Sequence, residues 1–234
     1  KLSVFPRAGR RANSVKLPRL SSNRRFAMSL RQRRILICVT GGIASSKICE
    51  LVRRLRDLDA EVRVVMAEGA THFVTPTTFQ ALSGQPVRVS LWDEQGEAAM
   101  GHIELAKGAE RVLIAPASAD TIARLAHGHA DDLLSTVVLA TAAPVYVAPA
   151  MNQQMWAHPA VQANIGILRV RGVGILGPAV GDQARGDIGS GRMHEPHDLL
   201  VASFGDQALR GRRVVASAGP MYEYIDPVRF SGHL

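Results

Sequence analysis

The sequence predicts an α/β domain built on a parallel sheet with helices on both faces. Three observations carry this: short β-rich runs alternate with stretches of helical period, those runs are continuously apolar, and turns containing glycine or proline separate them. Residues 35–39 (ILICV) are the first such run. A glycine turn follows, and then residues 45–58, where Ile48, Leu51, Val52 and Leu55 recur at helical spacing. A second unit joins a strand over 62–66 to a helix over 76–82, and a third joins a strand over 112–115 to a helix from about Ser118. Asp131 opens a further helix that leads to a strand over 145–148, and a last strand is expected over 174–176. Residues 181–191 (GDQARGDIGSG) are glycine-rich and lack a hydrophobic period, so a mobile loop able to act as a flap is expected there. A closing helix over 196–209 and a new strand over 213–217 complete the reading. In sheets of this kind ligands bind at the carboxyl ends of the strands.

Composition narrows the function classes. The 234 residues carry a formal charge of +8, but residues 1–34 hold 11 Lys or Arg and no acid, whereas the other 200 hold 17 against 20 Asp or Glu. The body is therefore mildly acidic, which argues against binding to nucleic acid. Residues 1–32 read as a basic extension outside the fold, fitting an organellar transit peptide or sequence that is not part of the native protein. Residues 133–168 carry no Asp, Glu, Lys or Arg, yet Pro144 and Pro149 divide their most apolar part into helix-length and strand-length pieces. Buried core is expected, and no membrane span. Cys38 and Cys49 lack metal or disulfide spacing, so a reducing cytoplasm is the expected compartment.

Four segments fall where a ligand would sit. Residues 40–46 (TGGIASS) join a strand to a helix, where free amides and the helix dipole favour an anion. Neither the G-x-G-x-x-G nor the G-x-x-x-x-G-K-[ST] pattern is present. A plain turn, a mononucleotide site and a dinucleotide site all stay open on spacing alone. Ser118 and Thr121, at the next strand end, can hydrogen-bond a ligand or cap the helix. Asn152 stands at a third strand end and offers donors and an acceptor. His102 lies at a helix start, where a surface or core role is the ordinary alternative to catalysis. No metal is expected, since the histidine pairs at 127/129 and 194/197 have no acid or cysteine cluster beside them.

Taken in order, TGGIASSK, MGHIEL, APASADTIARLA, PAMNQQMW and GDIGSGRM resemble the flavin-dependent phosphopantothenoylcysteine decarboxylases over about residues 33–204. Residues 214–230 resemble the first strand and loop of phosphopantothenate–cysteine ligase, which in bacteria is commonly fused behind the decarboxylase. The resemblance implies a decarboxylase domain over 33–209 and the start of an interrupted ligase domain over 210–234, without ligase activity. It also implies a flavodoxin-like, Rossmann-like three-layer sandwich, assembled as a homotrimer or a dodecamer of trimers, with FMN between subunits. Gly41, Gly42 and Ile43 would line the flavin phosphate, Ser118, Ala119, Asp120 and Thr121 would approach the rest of the cofactor, and Ala150 would lie near the ring. Ala67 stands where members often carry Ser or Thr, which removes one expected hydrogen bond.

The family reaction takes 4'-phosphopantothenoylcysteine to 4'-phosphopantetheine. By resemblance His102 would be the base, and Asn152 would hold the substrate carboxylate with Met151 beside it. Members usually carry Ala-Cys-Gly-Asp in the flap, the Cys donating a proton to the ene-thiol; this sequence has Ala184-Arg185-Gly186-Asp187. A guanidinium effectively cannot give up a proton. Two alternatives follow: a flavin-binding regulatory oligomer without turnover, and an oxidative cysteine decarboxylase that stops at the ene-thiol. Flavin prenyltransferases share the fold, but the GHIEL and PAMN pairing favours the decarboxylases.

Overall fold

The winding of the chain is fixed by five parallel strands in the order β2-β1-β3-β4-β5. They are β1 (Arg34–Val39), β2 (Glu61–Met66), β3 (Arg111–Ala117), β4 (Val145–Pro149) and β5 (Gly174–Ile175). The computed structural model describes residues 30–92, 101–182, 188–204, 221–224 and 230–233. The chain steps outward from β1 to β2, then crosses back past β1 to β3, so the winding reverses between β1 and β3. This is the flavodoxin-like order, whose ligand crevice lies at that reversal.

Alternation along β1 shows why both faces are covered. Ile35, Ile37 and Val39 belong to one buried cluster and Leu36 and Cys38 to the other. The first cluster takes Ile48, Leu51, Val52 and Leu55 from α1 (Ser45–Asp57), Phe79 from α2 (Pro76–Ser83), and Leu199, Leu200 and Phe204 from α8 (Pro196–Phe204). The second is covered by α3 (Gly101–Gly108), α4 (Ala119–His127), α5 (Leu133–Ala140) and α7 (Pro159–Val170), through residues such as Leu105, Ile122, Val137 and Ile165. Three layers result. A 3₁₀ turn (Glu68–His72) and α6 (Gln153–Ala157) sit at strand ends.

Most helix starts are closed by their own side chains. Thr75, Ser118, Asp132, Asn152 and His158 each accept a backbone N–H from the helix they precede. At the amino end of the central strand β3, Arg111 donates to the Ser203 carbonyl. Its guanidinium lies 6.0 Å from the Tyr146 ring centroid and 5.9 Å from that of Phe204, fastening α8 to the sheet.

Two regions differ from the expectation. The two ends of the glycine-rich stretch pair as an antiparallel ribbon of β6 (Ala179–Asp182) and β7 (Ile188–Arg192), with Val180 opposite Ser190 and Gly181 opposite Gly189, while the middle of the expected flap, 183–187, lies outside the described residues. Backbone pairing needs no apolar period, which is why the sequence concealed it. Toward the C-terminus, β8 (Met221–Tyr224) pairs antiparallel with β9 (Phe230–His233), while the strand expected over 213–217 lies outside the described residues. The closing helix is described only to Phe204. Among the described residues no helix is long and apolar enough to cross a membrane.

The Asp132 cap makes the helix-start account testable. Its Oδ1 accepts the Ser135 N–H at 2.7 Å, so Asp132→Ala should lower unfolding free energy by about 0.5–2 kcal/mol in a urea titration. Unchanged stability would show that the cap contributes nothing.

Candidate active site at the strand ends

The turn after β1 spends its serine hydroxyls on nearby carbonyls. Ser45 is fully buried, and its Oγ lies 2.9 Å from the Thr40 carbonyl and 2.6 Å from that of Gly42; Ser46 Oγ donates to the Ile43 carbonyl at 2.9 Å. Ala44, at the start of α1, provides no side-chain cap. Among the described residues the amides of Gly41, Gly42 and Ile43 have no acceptor. Gly41 is required sterically, since a Cβ there would come 3.0 Å from the Gly69 carbonyl carbon and oxygen. A Cβ on Gly42 would meet nothing within 4 Å. The turn therefore offers three N–H groups at the positive end of a 13-residue helix.

A series of hydrogen bonds aligns the other expected residues with this turn. Thr40 is 1% exposed; its Oγ1 donates to the Pro116 carbonyl at 2.7 Å and accepts the Ser118 N–H at 3.1 Å. Ala150 N–H donates to the Ala117 carbonyl, and Met151 N–H to that of Gly191, each at 3.0 Å. The ends of β1, β3 and β4 and the ribbon strand β7 thus form one continuous edge. Gly189 lets the ribbon lie against α6, where a Cβ would be 1.8 Å from Gln153 Oε1.

The individual side chains divide into distinct roles. Ser118 Oγ accepts the Thr121 N–H at 3.2 Å and lies 3.0 Å from its hydroxyl, so the capping reading is realised. Asp120 pairs with Arg124 at 2.9 Å, and the same guanidinium holds Asp131 at 2.7 Å, keeping the Asp131 carboxyl below its ordinary pKa range. Asn152 Oδ1 accepts the Gln154 N–H at 2.8 Å, which fixes the side chain at the end of β4. Beside the turn, a cleft of about 570 Å³ is lined by Met66, Ala67, Trp92, Asp120, Thr121 and Leu133, among others. Glu68, Asp131 and Asp132 also face it, with Arg124 as its cation. The α1 turn therefore suits an anion better than this acid-lined cleft does.

His102 stands at the start of α3 near the carboxyl end of β2, to one side of this edge. Its helix is fastened to the β2 side: Glu104 pairs with Arg63 at 3.0 Å, and a Cβ on Gly101 would come 2.6 Å from Arg88 Nη2. Three strand spacings, roughly 14 Å at about 4.8 Å each, separate β2 from β4 and its Asn152. Arg185 lies outside the described residues. Sequence reasoning missed the bridging role of Thr40, and it missed Arg88, whose Nε is buried without a hydrogen-bond partner among the described residues. It also missed the Lys47–Glu195–Arg192 cluster, with contacts of 2.8 and 2.6 Å, which ties α1 to the end of β7. The Lys47 ammonium holds the Glu195 carboxyl below its ordinary range, against the effect of burial.

The strand order and the uncapped anion-binding turn define a doubly wound, flavodoxin-like domain with a phosphate-type site at its winding reversal. Residues 24–205 match the model of the Flavoprotein family, and the chain belongs to that family. It is 53% identical over 207 residues to the coenzyme A biosynthesis bifunctional protein CoaBC of Haemophilus influenzae, covering 87% of this chain and 52% of that one. It is 54% identical over 207 residues to CoaBC of Escherichia coli K12, covering 87% and 51%. The chain thus spans about half the length of these curated relatives. Among solved structures, a PPC decarboxylase mutant complexed with pantothenoylaminoethenethiol aligns with a TM-score of 0.63 and 32% identity, over 73% of this chain and 95% of that one. The FMN-dependent cysteine decarboxylase SpaF aligns with a TM-score of 0.66 and 31% identity, over 75% and 97%.

Neither cysteine reaches the strand-end edge as a thiol donor. Cys38 is fully buried, and desolvation, helped by the charge of Asp132, pushes its pKa up to about 12; burial raises that of half-buried Cys49. Thiol reagents act on the thiolate. In the native chain a mildly alkaline alkylation should modify Cys49 slowly and Cys38 only after unfolding. Peptide mass mapping showing fast native modification of Cys38 would contradict its burial.

Proposed function

We propose that this chain is an FMN-dependent decarboxylase of 4'-phosphopantothenoylcysteine, producing 4'-phosphopantetheine for coenzyme A biosynthesis in the cytoplasm. The observation that carries the reading is the set of open amides at Gly41, Gly42 and Ile43, on an edge shared with Ser118 and Asn152. The residues present fit a mononucleotide. The α1 turn provides phosphate donors, the space above Gly42 has no protein atom to meet a side chain, and Ile43, 66% exposed, offers an apolar surface beside it. Ser118, Ala119, Asp120, Thr121 and Ala150 would line the remainder. The decarboxylase reading occupies residues 33–209, with residues 210–234 assigned to a ligase-like start.

When bound, FMN supplies the two-electron oxidation of the cysteinyl moiety and later returns those electrons. Asn152 orients the substrate carboxylate through its carboxamide, held at the strand end by its helix cap. Met151 shares that pocket, tied to the ribbon through its N–H. His102 moves the proton. The strand spacings between the α3 side and Asn152 support a site completed between copies. The reading therefore includes a homotrimer, or a dodecamer of trimers, in which His102 of one copy serves Asn152 of another.

Purified chain supplied with FMN and 4'-phosphopantothenoylcysteine should release carbon dioxide. His102→Asn and Asn152→Asp should each abolish release while retaining bound FMN, and mixed oligomers of the two variants should regain part of the activity. Absence of FMN uptake would overturn the cofactor reading; inactive mixed oligomers would overturn the shared site.

A second reading, oxidative decarboxylation that stops at the ene-thiol, is favoured by Arg185 at the flap position. The chain should then make a product two hydrogens lighter than the reduced one, and Arg185→Cys should restore anaerobic multiple turnover to the saturated product. Mass spectrometry distinguishes them. Saturated product from the unmodified chain at many turnovers would place the proton donor elsewhere.

A further inference from the structure

Thr40 is the last residue before the anion-binding turn, and its hydroxyl is wholly used within the protein. It donates to the Pro116 carbonyl at 2.7 Å and accepts the Ser118 N–H at 3.1 Å, at 1% exposure. Its carbonyl receives the Ser45 hydroxyl at 2.9 Å, and Ser45 Oγ in turn lies 2.6 Å from the Gly42 carbonyl. One residue therefore connects the Gly41–Gly42 turn to the start of α4 across the winding reversal. Parallel strands β1 and β3 pair through Cys38 and Ile114, and their register is not continued by ladder bonds at residues 40 and 116–118. The Thr40 hydroxyl supplies a connection that the sheet itself does not.

We infer that Thr40 is a positioning residue for the cofactor, setting the distance between the phosphate turn and the Ser118–Thr121 segment; this rests on the FMN site proposed above. Valine has threonine's shape without its hydroxyl. Thr40→Val would leave the Pro116 carbonyl and the Ser118 N–H without their partner in a buried place, and the two segments would separate or admit water. Serine keeps the hydroxyl and loses only a methyl group.

The test is FMN titration of the apoprotein, followed by flavin fluorescence, together with amide hydrogen exchange of the ligand-free chain. Thr40→Val should weaken FMN binding by at least about tenfold, the scale of one lost buried hydrogen bond. Thr40→Ser should stay within about threefold of the parent, since it retains the bond. Exchange at Ser118 should accelerate in Thr40→Val and not in Thr40→Ser. A Thr40→Val chain with lowered melting temperature but parental FMN affinity would overturn the inference, since Thr40 would then be only a core residue. If Thr40→Val does not fold, Thr40→Ala removes the same hydroxyl with less steric demand, and the same affinities decide. If the parent chain binds no FMN, the proposed function fails on its own. In that case unchanged Ser118 exchange in Thr40→Val would also remove Thr40's positioning role.

Discussion

The reversal of winding between β1 and β3 is the constraint on which the rest of this structure depends. Strands wound in one direction put successive helices on one face; reversing at β1/β3 sends α1 to one face and α4 to the other. The loops leaving these two strands must therefore part, and a crevice opens where they do. The Thr40 hydroxyl bridges that parting by two hydrogen bonds. Gly41, pressed against the Gly69 backbone, sets the position of the same turn from the β2 side. Topology creates the crevice, and these two residues fix its width.

The division of polar work around the crevice follows from which groups are already satisfied. Ser118 and Asn152 look like ligand donors in the sequence, and Ser45 and Ser46 lie in the turn beside them, yet each spends at least one polar atom on the fold itself. Capping and ligand binding compete for the same atoms, and at the start of α4 the cap holds the serine oxygen. At α1 the outcome is reversed: no side chain caps the helix, and the turn's hydroxyls bind its own carbonyls. The amides are left facing outward with the helix dipole behind them. The neighbouring cleft, rich in acids, has the opposite electrostatic character. A ligand with a phosphate at one end and a less charged body matches that gradient.

The layered fold was legible because it is written in repeated, redundant signals. The apolar runs at residues 35–39 and 145–148 and the helical spacing of Ile48, Leu51, Val52 and Leu55 each repeat the same message, and burial follows it. The candidate site was legible only as strand-end motifs. The bridging role of Thr40, though the residue stood in the TGGIASS motif, was not legible because it depends on a partner 76 positions away, and no local pattern encodes that distance. The β6–β7 ribbon escaped because pairing through backbone leaves glycine-rich sequence without a period. Arg88 carries no motif at all; its place beside Gly101 follows from its β-bridge to Val65 at the edge of the sheet.

His102 and Asn152 show that two clear motifs need not stand on neighbouring strands. The GHIEL and PAMN stretches are both clear in the sequence, yet the fold fastens α3 to the β2 side and leaves Asn152 at the end of β4. Neither element can swing across the sheet without breaking it: Leu105 and Ala106 are buried in the core, and Ala150 is bonded to the end of β3. Packing of this kind holds α3 and the end of β4 each to its own part of the sheet. On the function proposed above, chemistry that needs both would bring a second copy's α3 to the β4 edge. On that proposal the flavodoxin-like layer would supply one half of a site along its strand-end edge.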